Sequence, residues 1–294
     1  MLTSEINKTF RARLQTGGPV LLPGAANALA ARVIEDLGFE AVYISGAGVT
    51  NTYLGIPDLG FISLPELVAH TAAIRNVTDL PIVVDADTGF GNAVNVTHTV
   101  AMLERAGASA IQLEDQVTPK RCGHFSGKQV VALEDARTRI RAAVDTRQDP
   151  NFQIVARTDA AATDGIDAAI ERAAAFIEEG ADITFVEAPG SVDDLKKIPQ
   201  TLAHRPQLVN LVVGGSTPIL SLNELDSLGF RIVLYANVAL QGAVFGMHQA
   251  LSQLKADGRM DESGPLASFE MRQATVRKHH FDALEKRYTF PDTT

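Results

Sequence analysis

Apolar residues recur along the chain in eight short runs, each followed by a polar, glycine-marked stretch. The runs are VLLP (20–23), AVYIS (41–45), PIVVD (81–85), AIQLE (110–114), QIVAR (153–157), ITFVE (183–187), QLVNL (207–211) and RIVLY (231–235). They are short, β-branched and nearly continuous in hydrophobicity, as strands buried on both faces are. Helix-like segments lie between them at 25–37, 92–106, 166–179 and 219–228, ending at Gly38, Gly107, Gly180 and Gly229. Glycine just past the last helical turn is a C-terminal cap signal. Repetition of strand, loop and helix with eight strands predicts an α/β fold, a (β/α)₈ TIM-type barrel. An open doubly wound sheet is the rival architecture.

After the eighth run the chain continues for almost sixty residues. The pattern predicts an eighth helix over 240–258, a polar linker MDESGP, and one further amphipathic helix over 268–288. Residues 1–294 therefore read as a single barrel domain with 259–294 as a C-terminal helical extension. A helix beyond the barrel needs an apolar surface to cover, so docking on a neighbouring subunit is expected.

Composition narrows the function classes. The chain is 46% hydrophobic and 21% charged with net charge −9, which argues against nucleic acid, since phosphate neutralisation needs clustered Lys and Arg. It leaves open an acidic small substrate, because local Arg and a metal reverse the field within a cleft. The first residues, MLTSEINKTFRARL, hold no apolar signal region, and no apolar stretch of about 18 residues suggests a membrane span. Cys122 is the only cysteine, which fits a reducing compartment. Together these features point to a cytoplasmic protein.

In a barrel of this kind the chemistry gathers at the C-terminal strand ends. Those ends read Ser45-Gly46-Ala47, Asp85-Ala86-Asp87, Glu114-Asp115, Arg157-Thr158-Asp159, Glu187 and Asn210. Asp85, Asp87 and Glu114, with Asp58 in the loop after the second strand, repel one another unless a cation joins them or their pKa values rise. Carboxylates with water ligands suit Mg²⁺, with Mn²⁺ as a substitute. The alternative is that these acids cap helices or pair with Arg at the rim. In DQVTPKRCGHFSGK, Cys122 stands among Lys120, Arg121 and His124, next to Gly123. Positive neighbours tune a thiol as a nucleophile or proton donor, whereas inert packing is the usual fate of a lone cysteine. GxGxxG and Walker phosphate loops are absent, so nucleotide binding has no support. The Gly-rich VVGGSTP after the seventh strand keeps a phosphorylated or phosphonate substrate open.

With these residues in view, the chain resembles the isocitrate lyase/phosphoenolpyruvate mutase superfamily along nearly its whole length. The stretches YISGAG, PDLG, DADTGFGN, EDQ, KRCGH, ARTDA and FVEA carry the likeness. Within the superfamily it is most similar to the methylisocitrate lyase, 2,3-dimethylmalate lyase and oxaloacetate hydrolase group. The resemblance implies that Asp85 coordinates Mg²⁺, with Asp58, Asp87 and Glu114 contributing directly or through water. It implies that Ser45, Gly46 and Ala47 hold the 2-oxo acid carboxylate and that Arg157 neutralises a carboxylate. Cys122 becomes the proton donor, Gly123 and His124 bind other carboxylates, Glu187 and Asn210 line the far side, and Tyr43 matches a tyrosine proposed as base. It further implies a homotetramer whose last helix is exchanged between subunits.

Three positions depart from the group. Val213 stands where Glu is common, Ala236 where Pro is, and Gln241 aligns with an Arg of the methylisocitrate lyases. Arg272 keeps a C-terminal arginine for substrate binding. The implied reaction is Mg²⁺-dependent carbon–carbon cleavage of a small 2-hydroxy di- or tricarboxylate into a 2-oxo acid (pyruvate or glyoxylate) and a diacid. Oxaloacetate hydrolysis or decarboxylation, and a carboxyphosphonoenolpyruvate-type phosphonomutase, are the alternatives.

Overall fold

The protein is described by a computed structural model over residues 1–120 and 127–289. The elements in chain order are α1 (Thr3–Gln15), β1 (Val20–Ala25), α2 (Ala28–Asp36), β2 (Val42–Ile44), α3 (Gly46–Val49), α4 (Leu64–Arg75), β3 (Ile82–Asp85), α5 (Ala93–Arg105), β4 (Ala110–Glu114) and α6 (Leu133–Thr146). They continue with β5 (Gln153–Thr158), α7 (Ile166–Glu178), β6 (Ile183–Val186), α8 (Val192–Thr201), β7 (Gln207–Asn210), α9 (Leu222–Leu228), β8 (Ile232–Tyr235), α10 (Val238–Asp257), α11 (Phe269–Thr275) and α12 (Lys278–Tyr288). The strands close in sequence order, with β8 returning to β1, and each pairing is parallel. The open-sheet alternative is excluded.

Every one of the eight apolar runs forms a strand, and their two-residue period sorts the core into layers. Val20, Leu22, Tyr43, Val83, Ala110, Val155, Phe185, Leu208, Ile232 and Leu234 make one buried cluster inside the barrel. The intervening residues, among them Val42, Ile82, Val84, Ile111, Ile154 and Ala156, pack outward on the helices. Phe10 and Leu14 of α1 join the interior cluster, so this N-terminal helix closes the end opposite the mouth.

The four helix-terminating glycines all adopt left-handed φ, from 79° at Gly38 to 103° at Gly229. The N-terminal bounds shift where a polar cap decides them. Asn27 accepts from Ala30 N at 2.9 Å, so α2 starts after β1 has run on to Ala25. Ser221 with Glu224 forms a reciprocal cap that starts α9 at Leu222, as this pairing does generally.

The single C-terminal helix expected over 268–288 is instead two. Arg277 takes a left-handed φ of 58°, and its Nη1 reaches Asp36 at 3.1 Å on α2. An ion pair to α2 thus bends the chain where periodicity alone continues it. None of α10, α11 or α12 buries a residue. Among the described residues no helix is long and apolar enough to cross a membrane.

One glycine marks a close approach. A Cβ on Gly24 would lie 1.9 Å from the carbonyl oxygen of Ala236, where the loop after β8 crosses β1. Gly24→Ala is expected to lower stability by about 1–3 kcal/mol, the usual cost of overpacking. A denaturant midpoint equal to that of the wild type would show that the two backbones do not meet this closely.

Candidate active site

The strand period that packs the barrel also builds the site. The inward positions Tyr43, Val83, Gln112, Val155, Phe185 and Leu208 are each followed, two residues on, by Ser45, Asp85, Glu114, Arg157, Glu187 and Asn210. Side chains two apart on a strand share a face, so the last inward residue of each strand reaches the mouth. They enclose a cavity of about 440 Å³ of space, open mouth included, lined by Ser45, Ala47, Asp58, Asp85, Glu114 and Arg157 among others. Lys120, Phe185, Glu187, Asn210 and Asn237 complete the wall.

Asp85 is held by three donors. The N–H groups of Gly46 and Asp87 approach it at 3.4 and 3.2 Å, and Gln112 Nε2 at 3.2 Å. Gln112 is turned the right way by Tyr43, whose hydroxyl donates to Gln112 Oε1 at 2.9 Å. Burial, and then the Asp85 charge, push the Tyr43 phenol well above its ordinary pKa. The phenol, donating in this way, orients Gln112 toward Asp85. Asp87 turns back beside Asp85 on a left-handed φ of 48°, a conformation rare outside glycine and frequent at functional sites.

The acids answer one another through a lysine. Lys120 Nζ lies 2.7 Å from Asp58 and 2.9 Å from Asp87. Burial alone would lower its pKa, but Asp87, Asp85, Glu114 and Asp58 outweigh it and hold it well above the usual value. One ammonium is not enough for the cluster. Burial, with Asp85 and Asp58 adding to it, raises Asp87 to about 7 despite Lys120. Glu114 is pushed well up by burial, against the pull of Arg157 at 3.3 Å, and its Oε1 has no hydrogen-bond partner among the described residues.

The donor set is hard oxygen with charge to spare, which fits a hard divalent cation. Among the described residues, no group of three or more His, Cys, Asp or Glu forms a direct metal cage. A fit to Mg²⁺ therefore requires a minority of direct protein ligands and several waters, the habit of that ion.

Arg157 is the second centre of charge. It pairs with Glu114 at 3.3 Å and Asp159 at 2.9 Å, lies 3.7 Å from Glu187, and sits over the Phe185 ring at 5.3 Å. Asn210 Nδ2 reaches Glu187 Oε1 at 3.5 Å. Ser45 accepts from Gly48 N at 3.1 Å and faces Asn237 Oδ1 at 3.5 Å.

The remaining sequence expectations divide. Cys122, Gly123 and His124 lie outside the described residues. Arg272 does not line the cavity of its own chain. It is exposed on α11, over the Phe269 ring at 5.0 Å, because α11 packs against α2 and α12 on the outside of the barrel. Gln241 lies on α10 in an outer groove with Asn27, Asn51 and Thr52 and not on the wall of this cavity. Val213 is 58% exposed, while Ala236 lines the wall. Gln112, Lys128 and Asn237 escaped sequence reasoning. Gln112 left a signal, a polar residue at an inward position of an otherwise apolar strand.

A closed barrel with a carboxylate cradle and an arginine at its mouth defines a class, and comparison with known proteins bears on which. The family described as phosphoenolpyruvate phosphomutase matches residues 10–255, and the chain belongs to this family, within the superfamily it shares with the isocitrate lyases. The 2,3-dimethylmalate lyase of Eubacterium barkeri is 47% identical over 248 residues, covering 84% of this chain and 86% of that one. A probable 2-methylisocitrate lyase of Corynebacterium glutamicum is 45% identical, covering 86% and 83%. A solved structure of oxaloacetate acetylhydrolase with 3,3-difluorooxalacetate matches with a TM-score of 0.88 at 33% identity, over 96% of each chain. With lyases at this level of identity, the chain is an enzyme of the carbon–carbon lyase class.

Proposed function

We propose that this enzyme cleaves the C2–C3 bond of a substituted malate or 2-methylisocitrate-type acid, with Mg²⁺ as cofactor. The observation that carries the reading is the convergence of Asp58, Asp85, Glu114, Lys120 and Arg157 on one cavity, in a chain similar to two lyases of such acids. Asp85 is the residue to hold the ion directly, with Asp58, Asp87 and Glu114 acting through its waters. When bound, Mg²⁺ supplies a Lewis acid for the 2-hydroxyl and its neighbouring carboxylate.

The chain's own groups do the rest. Ser45 and Ala47 border the place of the 2-oxo acid carboxylate, and Gly46 holds Asp85 in register. The hydroxyl proton leaves to water in the cavity, since Tyr43 is already a donor to Gln112. The C–O bond becomes a carbonyl, and the C2–C3 electron pair passes to C3 as the enolate of the second acid. Arg157 neutralises that developing charge in a site shielded from water, where such a contact is strongest. Cys122 protonates the enolate carbon, and Gly123 and His124 bind its carboxylates.

The exposed apolar residues Phe245, Met247, Leu251, Phe269, Met271 and Phe281 on α10, α11 and α12 support a homotetramer with exchanged C-terminal helices. Arg272 then belongs to the assembly. The lone thiol supports a reducing cytoplasm.

The test is product analysis by NMR with Mg²⁺ and 2-methylisocitrate, isocitrate, 2,3-dimethylmalate, 2-methylmalate and oxaloacetate. Pyruvate or glyoxylate with the matching acid is the expected result. Oxalate plus acetate, or pyruvate plus CO₂, from oxaloacetate alone moves the assignment to the hydrolase or decarboxylase reading, which the likeness to oxaloacetate acetylhydrolase supports. Silence across the panel overturns both and leaves the phosphonomutase.

A further inference from the structure

Arg139 carries two donors that the chemistry above does not use. It stands on α6, and its Nη2 donates to Asp135 Oδ2 at 3.0 Å, a surface pair one helical turn back. The side chain is only 13% exposed. Its Nε and Nη1 are shut off from solvent and have no hydrogen-bond partner among the described residues. Buried charged donors left unpaired are costly, and in native proteins such groups are met by ordered water.

Arg139 lines a second cavity, about 200 Å³ of space between α6, α7 and the ends of β4 and β5. Ile140 and Phe176 give it apolar walls, and its other polar walls are Glu114, Asp115 and Arg157. The hydrogen bonds of these three leave one acceptor open. Asp115 Oδ1 accepts from Asp159 N at 2.9 Å, and Oδ2 from the Thr158 hydroxyl at 2.7 Å and Arg172 Nε at 2.8 Å. Arg157 gives Nε and Nη2 to Asp159, each at 2.9 Å, and Nη1 to Glu114 Oε2 at 3.3 Å. Glu114 Oε1 is buried and accepts no hydrogen bond among the described residues.

Two unused donors and one unused acceptor thus border one cavity. Water accepts from an arginine and donates to a carboxylate, so it satisfies both sides at once. A carboxylate oxygen carries two lone pairs. A bond from the helix side therefore leaves Glu114 able to act at the mouth, whose wall it also lines.

We propose that Arg139 is a positioning residue, joined to Glu114 Oε1 by an ordered water on the helix side of the barrel wall. The bridge fixes the rotation of the carboxylate, and with it the Glu114–Arg157 pair that faces the mouth. This rests on the role given above to Glu114, which acts on the metal through water.

Arg139→Met keeps the apolar stem and removes every donor, while Arg139→Lys returns one. Asp135→Ala is the control, since it takes away only the surface partner. Three quantities are read on the full chain, with melting curves to confirm that each variant is folded. The first is the Kd for Mg²⁺ by calorimetry, and the second is kcat on the acid the wild type turns over. The third is the electron density of Mg²⁺-free wild-type crystals that diffract well enough to show ordered water.

The density is expected to show a water within about 3.2 Å of Glu114 Oε1 and of Arg139 Nε or Nη1. Arg139→Met is expected to bind Mg²⁺ about 10- to 100-fold more weakly and to lose kcat, the usual cost of removing a group that orients a ligand. Arg139→Lys should recover most of the affinity, and Asp135→Ala should stay within about twofold of the wild type. Wild-type Mg²⁺ affinity in Arg139→Met overturns the proposal, and a lowered melting temperature beside it marks a purely structural role. So does density in which no water touches Glu114 Oε1, or in which Arg139 meets a carboxylate directly. An equal loss in Asp135→Ala overturns it too, because the surface pair then carries the effect. If the wild type binds no Mg²⁺, the metal reading fails, and the density still decides for or against the bridge. Should Arg139→Met not fold, Arg139→Gln carries the same measurement.

Discussion

Replacing Asp85 by alanine is expected to abolish metal-dependent turnover while leaving a folded barrel. Asp85 ends an inward row of β3 and is oriented by Gly46, Asp87 and Gln112. It is therefore the acid best prepared to hold an ion without reorganising. Metal polarisation of a substrate oxygen contributes several kcal/mol, so the loss should be on the order of 10³-fold or more in kcat/KM. The fold should survive for an electrostatic reason. Removing one of four crowded acids relieves repulsion, which offsets three weakened hydrogen bonds of about 1 kcal/mol each. Titration calorimetry with Mg²⁺ separates the causes. Weakened Mg²⁺ binding with lost turnover is the expected pair, and unchanged Mg²⁺ affinity would remove Asp85 as the ligand.

Arg157→Met should cost both activity and stability. The side chain is buried among Asp159, Glu114 and Glu187, and those charges outweigh the effect of burial and raise its pKa far above its ordinary value. Removing it leaves buried carboxylates without their cation. Breaking a buried pair in this way costs about 3–5 kcal/mol, read as a shift of the denaturant midpoint. Loss of one donor to the developing charge should lower kcat/KM by a further 10²- to 10³-fold or so in the folded fraction. A variant that is destabilised yet retains wild-type kcat/KM would reduce Arg157 to a structural ion pair.

The two residues differ in how far the linear sequence revealed them. Asp85, Glu114 and Arg157 were legible because a strand alternates with period two, and a polar residue closing an apolar strand of a parallel barrel has only the mouth to occupy. Asp58 lies in an irregular loop, and its spacing alone did not show that it meets Lys120 across 62 positions. Lys120 itself read only as a positive neighbour of Cys122, not as the cation seated among the acids. Tyr43 matched a base by resemblance, but nothing in its own strand showed that its hydroxyl meets Gln112. That partnership depends on the register between β2, β3 and β4, which no single strand encodes.

Helix ends show the same division. Gly38, Gly107, Gly180 and Gly229 announced their turns because a left-handed residue without Cβ strain is a local requirement. The break at Arg277 was invisible because its cause is an ion pair to Asp36, 241 positions away.

What the sequence by itself determined is the barrel, its eight strands and the row of polar groups at its mouth, since each follows from local periodicity and from caps within a few residues. Only the tertiary structure decided which charges share a partner. Lys120 joins Asp58 to Asp87, Asp159 joins Arg157 to Lys128, and Gln112 joins Tyr43 to Asp85. The physical reason is that Coulomb and hydrogen-bond energies depend on distances of about 3 Å between groups far apart in the chain, and those distances exist only once the barrel has closed.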